Sequence, residues 1–288
     1  MSKSSSLAET LKSGFAAIVI PLSVVIAYFI YTQILGNPGN FEGGDVTAEP
    51  LEGNYLGVIH KGGPIVILLV AFQVILLTFI IERLVALYRA SGSGRNGLFV
   101  RKIKGMLDNN QLNNALEACD TQKGSVANVI KNGLNTFQEM SQEGYPMAEE
   151  QKVETLQKEL EEATQLELPL LSNNLVIIST LASVATLIGL LGTVTGMIKA
   201  FAALARAGSP DAIGLAGGIS QALVTTALGI STAAVAIIFY NYFASRIDKL
   251  VYAIDEASYS ILHAFKTRKS LRAAFSQNGQ AKAKEAVS

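Results

Sequence analysis

The sequence predicts an all-α polytopic membrane protein with four transmembrane helices and a helical cytoplasmic region. Three observations carry that reading. Half of the residues are hydrophobic and only 16% are charged, which moves a chain of 288 residues away from soluble domains. Two long apolar segments within 172–245 are separated only by Ala207-Gly-Ser-Pro-Asp-Ala212, and neither segment contains Asp or Glu. Two further apolar runs, Gly14–Leu35 and Pro64–Leu84, lie upstream. About 20 apolar residues cross a bilayer core as a helix, so each run is long enough to span.

Residues 1–13 are a polar cytoplasmic start carrying Lys3 and Lys12. The run 14–35 follows, and a charged start before an apolar centre also describes a signal peptide. Such a centre is about 7–15 residues long and ends at a small-x-small site. This run is longer, and Tyr31-Thr-Gln-Ile-Leu-Gly36 offers no such site, so a retained extra N-terminal span is expected. The Gly-, Pro- and Asn-rich stretch 36–63 is a loop with a short helix at its end, carrying Glu42, Asp45, Glu49 and Glu52 against Lys61. The second span occupies 64–88. Near its end Glu82-Arg83 suits an interfacial ion pair with snorkelling stems.

Residues 89–171 form the helical cytoplasmic region. Ser91–Gly97 is a flexible link, and an apolar rhythm then runs through Ile103, Leu107, Leu112, Leu116, Val129, Ile130, Leu134 and Phe137. Gly144-Tyr-Pro146 interrupts it. The stretch 147–168 is strongly helical, with Val153, Leu156, Leu160, Ala163 and Leu166 as its apolar stripe and glutamates on the other face. It should lead into the third span with a perturbation at Pro169, which cannot donate a backbone bond. The third span is 172–206, the turn 207–212 and the fourth span 213–245. A further helix over 246–275 carries the stripe Leu250, Ile254, Ala257 and Ile261, then a basic cluster, before a disordered tail.

Lys and Arg set the orientation. With the N-terminus inside, the outer loops 36–63 and 207–212 hold Lys61 and no Arg, while Arg95, Arg101, Lys102 and Lys104 fall inside. Two basic residues lie within the third span. Arg206 is near its end and can snorkel, whereas Lys199 is deeper.

The hairpin is rich in small residues. Lipid tails give helices no hydrophobic reason to associate, so contact must come from close backbone approach. Gly189, Gly192, Gly196, Gly218 and Gly229 are the candidate packing positions, expected to lie between neighbouring subunits. Thr186 and Thr193 sit one heptad apart, and Ser179 extends their stripe. On the last helix Gln221, Thr225 and Thr232 share a face within roughly 40°, while Thr226 lies about 140° round from Gln221. The hairpin thus offers the polar side chains of Thr193, Thr226, Gln221, Ser179 and Thr186. Hydroxyls and amides orient water or a carboxyl but do not store a proton near neutral pH. A conducting role would draw its titrating group from another chain. The plain structural alternative for each hydroxyl is a bond back to a carbonyl three or four residues earlier.

Other classes fare worse. Zero net charge offers no attraction for nucleic acid. Cys119 is the sole cysteine, and His60 and His263 are far apart in sequence. No catalytic triad, phosphate loop or metal-ligand spacing occurs, so no enzyme, cofactor or metal site is expected. A secondary transporter would favour internal repeats and midplane charges. A passive oligomeric scaffold remains open as an alternative.

Gly189-Leu-Leu-Gly-Thr-Val194, followed by Gly196, resembles the penultimate-helix signature of the MotA/TolQ/ExbB proton channel family. The stretch from Gly218 to Gly229, then Tyr240-Asn241, resembles the last helix of its ExbB/TolQ branch, and Phe79-Ile-Ile-Glu-Arg83 the end of that branch's first helix. The resemblance covers residues 64–260. It implies a homo-oligomeric ring, expected to be a pentamer, in the bacterial inner membrane around single-span ExbD- or TolR-like partners that supply a proton-carrying Asp. Ion flow would then drive work on a TonB-like tether, as in TonB-type import, or in a related gliding or stator-type motor. The family's channel-facing threonines fall on Thr193 and Thr226, which with Gln221, Ser179 and Thr186 makes these the candidate channel-lining residues that the resemblance implies. This chain departs at Gln221, where the branch usually has Glu, and at Thr186 and Val235, where prolines are common. Four spans also match MotA stators, although the motifs are of the other branch.

Overall fold

Among the described residues four helices are long and apolar enough to cross a membrane, within Gly14–Leu35, Ile65–Asp108, Glu150–Leu204 and Ala212–Thr267, as the apolar runs predict. The computed structural model describes the backbone of residues 3–141, 147–205 and 211–285, and the side chains of those between 14 and 267 except Glu149. Gly144-Tyr-Pro146, Arg206 and most of the 207–212 turn lie outside the described residues, as do the side chains of the C-terminal basic cluster beyond Lys266. The chain divides into two compact units, Met1–Arg83 with Asn174–Tyr242, and Leu84–Asn173 with Phe243–Ser288.

The first unit begins with α1 (Lys3–Phe29), which runs into a π-helical turn, Ile30–Leu35. Helix α1 buries Val19, Ser23 and Ala27 at a spacing of four, a stripe of modest side chains that lets it lie close to α3 (Ile65–Ser91). Ala27 shares a cluster with Leu35, Val66, Val70 and Ala71, against which Val224 and Leu228 pack. Near the other end, Phe15 and Phe79 meet edge-on at 5.7 Å, so α1 and α3 run antiparallel.

The loop between them is ordered by two asparagines. Asn40 Nδ2 donates to Ile34 O and Leu35 O at 2.8 and 2.9 Å, satisfying carbonyls that the end of the π turn leaves free. Asn54 donates to Asn40 Oδ1, and its own Oδ1 accepts from the Leu56 and Gly57 amides to cap the expected short helix, α2 (Tyr55–His60). His60 then stacks on Tyr31 at 4.4 Å and meets the edge of Phe41 at 5.5 Å. Burial and the neighbouring Lys61 charge push the His60 imidazole below its usual value.

Helices α8 (Leu175–Leu204) and α9 (Ala212–Glu285) complete the unit as the hairpin. The break before α8 does not fall at Pro169, which sits inside α7 (Glu149–Ser172). It falls at Asn174, whose φ of 59° is left-handed. Pro169 perturbs its helix locally without ending it, whereas Asn tolerates the left-handed region that redirects a chain. At the turn Asp211 caps α9, its Oδ1 accepting from Gly214 N at 2.9 Å. Helix α9 runs without a break through Ser245–Arg246.

The second unit contains α4 (Asn96–Asp108), α5 (Leu112–Gln122), α6 (Gly124–Met140) and α7, with the later part of α9. Its core takes Ile103 from α4, Val129, Ile130, Leu134 and Phe137 from α6, and Leu156, Leu160 and Ala163 from α7. The predicted α9 stripe of Leu250, Ile254, Ala257 and Ile261 is buried throughout. Gly133 lets α6 and α7 close, because a Cβ there would lie 2.3 Å from a Leu160 methyl. One stripe residue departs from expectation: Leu166 is 74% exposed, while Leu171 is buried. From Leu160 and Ala163 a 3.6-residue period carries the buried line past position 166 and on to Leu171.

Candidate functional site: the hairpin

Glycines hold α8 against α9 by backbone approach. A Cβ on Gly189 would lie 3.2 Å from Gly229 Cα, one on Gly196 2.7 Å from Gly218 O, and one on Gly218 2.6 Å from Ala200 N. Gly229 faces Ala185 O in the same way, at 2.6 Å. At Gly192 a Cβ would stand 2.2 Å from Thr225 Oγ1. These contacts lie within one chain, which corrects the expectation that the glycine faces pack between subunits. Once used here, they are not available to a neighbour.

The predicted polar face of α9 is the interior one. Gln221, Thr225 and Thr232 are all buried, at 5%, 0% and 2% exposure. Thr225 donates to Gln221 O and Ala222 O, and Thr232 to Leu228 O, so both are satisfied on their own helix. The α8 hydroxyls do likewise. Ser179 donates to Val176 O, Thr186 to Ala182 O and Thr193 to Leu190 O, the last at 2.6 Å. Thr226 is different: its Oγ1 donates across the hairpin to Gly189 O at 3.3 Å. In an α-helix that same carbonyl accepts from Thr193 N–H, so the two threonines belong to one turn of the hairpin.

Lys199 completes the polar set, and local pattern alone could not pair it. Its Nζ donates to Gln221 Oε1 at 2.9 Å. Gln221 in turn lies against the backbone at Gly63, where a Cβ would come within 3.4 Å of the Gln221 amide carbon. The available signal was a lysine set deep in an apolar segment that contains no Asp or Glu. Elsewhere in this unit, Arg83 grips Glu82 in two bonds, the Nε–Oε2 one at 2.6 Å, as the ion-pair reading expects. Asn174 Nδ2 approaches the same carboxylate at 3.5 Å, tying the start of α8 to α3.

Residues 121–256 match the MotA/TolQ/ExbB proton channel family. Among individual relatives, biopolymer transport protein ExbB-like 3 of Synechocystis is 41% identical over 88 residues, 30% of this chain and 42% of that one. The Tol-Pal system protein TolQ of Haemophilus influenzae is 28% identical over 201 residues, 68% of this chain and 87% of its own. Biopolymer transport protein ExbB of Pseudomonas putida is 35% identical over 86 residues, which cover 30% of this chain and 26% of the relative. The match thus spans less than half of two of these three relatives.

Proposed function

We infer from the match of residues 121–256 to the MotA/TolQ/ExbB proton channel family, with relatives on the ExbB/TolQ side, that this chain belongs to that family and is a subunit of an ion-driven inner-membrane motor. It works as a homo-oligomeric ring around an ExbD/TolR-like single-span partner and couples proton flow to work on the outer envelope, most simply TonB-type import. The chain itself is no enzyme in this reading. The observation that carries it is the Thr193–Thr226 turn between two apolar segments, 175–204 and 213–245, that contain no Asp or Glu. A membrane potential supplies about 2.3 kcal/mol per unit charge per 100 mV, but only to a carrier inside the field. The partner's acid is that carrier, and oriented hydroxyls ease its entry and discharge. Thr193 and Thr226 line the passage, with Ser179 and Thr186 along the same stripe and Gln221 in a supporting place.

A passive scaffold is the second reading. It draws support from the back-bonds of Thr193, Thr186 and Ser179, which leave these hydroxyls satisfied on their own helix. One experiment separates the two. Purified alone in liposomes, the chain should pass few protons under an imposed potential, and flux should appear when the partner is added. Thr193→Val keeps shape and removes the hydroxyl, so flux should fall about tenfold, the equivalent of about 1.4 kcal/mol for one lost polar contact. Robust flux from this chain alone sinks the partner-carrier reading. No flux with the partner present leaves the scaffold.

A further inference from the structure

Among the described residues no carboxylate neutralises the Lys199 ammonium. It has the Gln221 amide oxygen as its acceptor. Charges within a bilayer pair with other groups or face water, and one left alone is costly. The apolar runs 14–35, 64–84, 175–204 and 213–245 contain a single acid, Glu82, and Arg83 already holds it. A second copy of this chain therefore brings no free carboxylate at membrane depth. We propose that Lys199 and Gln221 form a docking point for a carboxylate carried on a membrane-spanning helix of a different protein.

Three features favour a helix-borne carboxylate over a lipid headgroup. Lys199 lies five residues before the last residue of α8, on the order of 7 Å along the axis, and its stem points sideways to Gln221 instead of out along the helix. Gln221 is buried against Gly63 and cannot follow a mobile headgroup. Beside this pair the surface is low. A Cβ on Gly217, one turn before Gln221, would meet nothing within 4 Å, and Ala202 and Ala216 are exposed. Small residues admit a helix backbone closely, which a phosphate does not require. An ammonium has three donors and Gln221 takes one, so two remain for a carboxylate that arrives from this side. The inference rests on the proposed function only for the identity of the partner; the missing counter-charge stands without it.

The test is zero-length coupling with dicyclohexylcarbodiimide in native membranes. This apolar reagent activates a buried carboxyl, and a touching lysine amine then displaces dicyclohexylurea to form an amide. Digestion and mass spectrometry should find Lys199 joined to an Asp or Glu of another membrane protein. That link should vanish in Lys199→Gln. In Gln221→Glu an intrachain link from Lys199 to the new carboxylate should replace it, which shows that the reagent reaches the site. Absence of an intermolecular link in wild-type membranes overturns the proposal. So does lipid phosphate retained by purified wild-type protein and lost in Lys199→Gln, since the headgroup would then be the ligand. A link found where liposomes show no partner-dependent flux removes the proposed function and leaves this contact standing. Flux without a link does the reverse.

Discussion

At Gly192 the hairpin has room for a hydrogen and no more. A Cβ there would lie 2.2 Å from Thr225 Oγ1 and 2.4 Å from Thr225 Cβ, and Thr225 is fully buried and bonded to its own helix. Gly192→Leu must therefore push α8 from α9 within a single chain. Overpacking of this kind costs about 1–3 kcal/mol or more, read as a lower melting temperature of the detergent-solubilised protein. Gly217→Ala, with nothing within 4 Å, should change that stability by no more than about 0.5 kcal/mol. His60 adds a pH term outside the spans. Its lowered value means that the unfolded loop binds the proton more readily than the folded one. Stability should be full above the ordinary imidazole value of about 6.5 and decline as pH falls through it towards the lowered folded value. The groups facing His60 are Tyr31, Phe41 and Lys61, and Lys61 opposes a second cation there. Thermal melts at pH 7.5 and 5.5 should differ in wild type and differ less in His60→Phe.

At the scale of elements, the spans were legible because a bilayer demands length and apolarity, and both are local properties of a sequence. The same holds for α6, where the apolar rhythm fell on the residues that build the core. What escaped was set by neighbours in space. A loop rich in Gly, Pro and Asn gave no sign that Asn40 would close the π turn, because its partners Ile34 O and Leu35 O are backbone atoms. The break at Asn174 was missed for a related reason: proline draws attention, yet a left-handed Asn redirects the chain. The hydroxyl stripe of α8 and the buried face of α9 could be read from periodicity, but the bonds from Thr226 to Gly189 and from Lys199 to Gln221 depend on the register between two helices. Sidedness can be tested directly. With the N-terminus inside, a cysteine at the exposed Thr47 should react with a membrane-impermeant maleimide on intact cells, and one at Ser141 only after permeabilisation. The native Cys119 should stay silent in both, since burial pushes its thiol up to about 12 and the thiolate is the reactive form. Outside labelling at Ser141 would invert the topology.

For the whole molecule, the glycines spent inside the hairpin change where assembly contacts can lie. Apart from the low surface around Ala202, Ala216 and Gly217, the faces left open are rich in large residues. On α8 and α9 these include Leu187, Leu190, Ile198, Phe201, Leu223 and Ile238, all of which lipid can cover as well as a neighbour can. The second unit is more informative, because its helices α4, α5 and α6 fall on the polar stretch between the spans. There Tyr252 and Tyr259 on α9 are 70% and 71% exposed, and they stand one heptad apart on one face. Large apolar side chains left together on a polar unit mark a protein interaction surface, and tyrosine is enriched at such interfaces. A ring of identical chains would cover them on every subunit at once. In the proposed ring, Tyr252→Ser with Tyr259→Ser should therefore shift the assembly towards smaller species in native mass spectrometry, by about tenfold or more in the assembly constant if about 1.4 kcal/mol is lost at each interface. The hairpin lies in the other unit and keeps its own glycine contacts, so the melting temperature of dissociated chains should match that of dissociated wild type. An oligomer unchanged by the double substitution would place the subunit contacts on the lipid-depth faces instead.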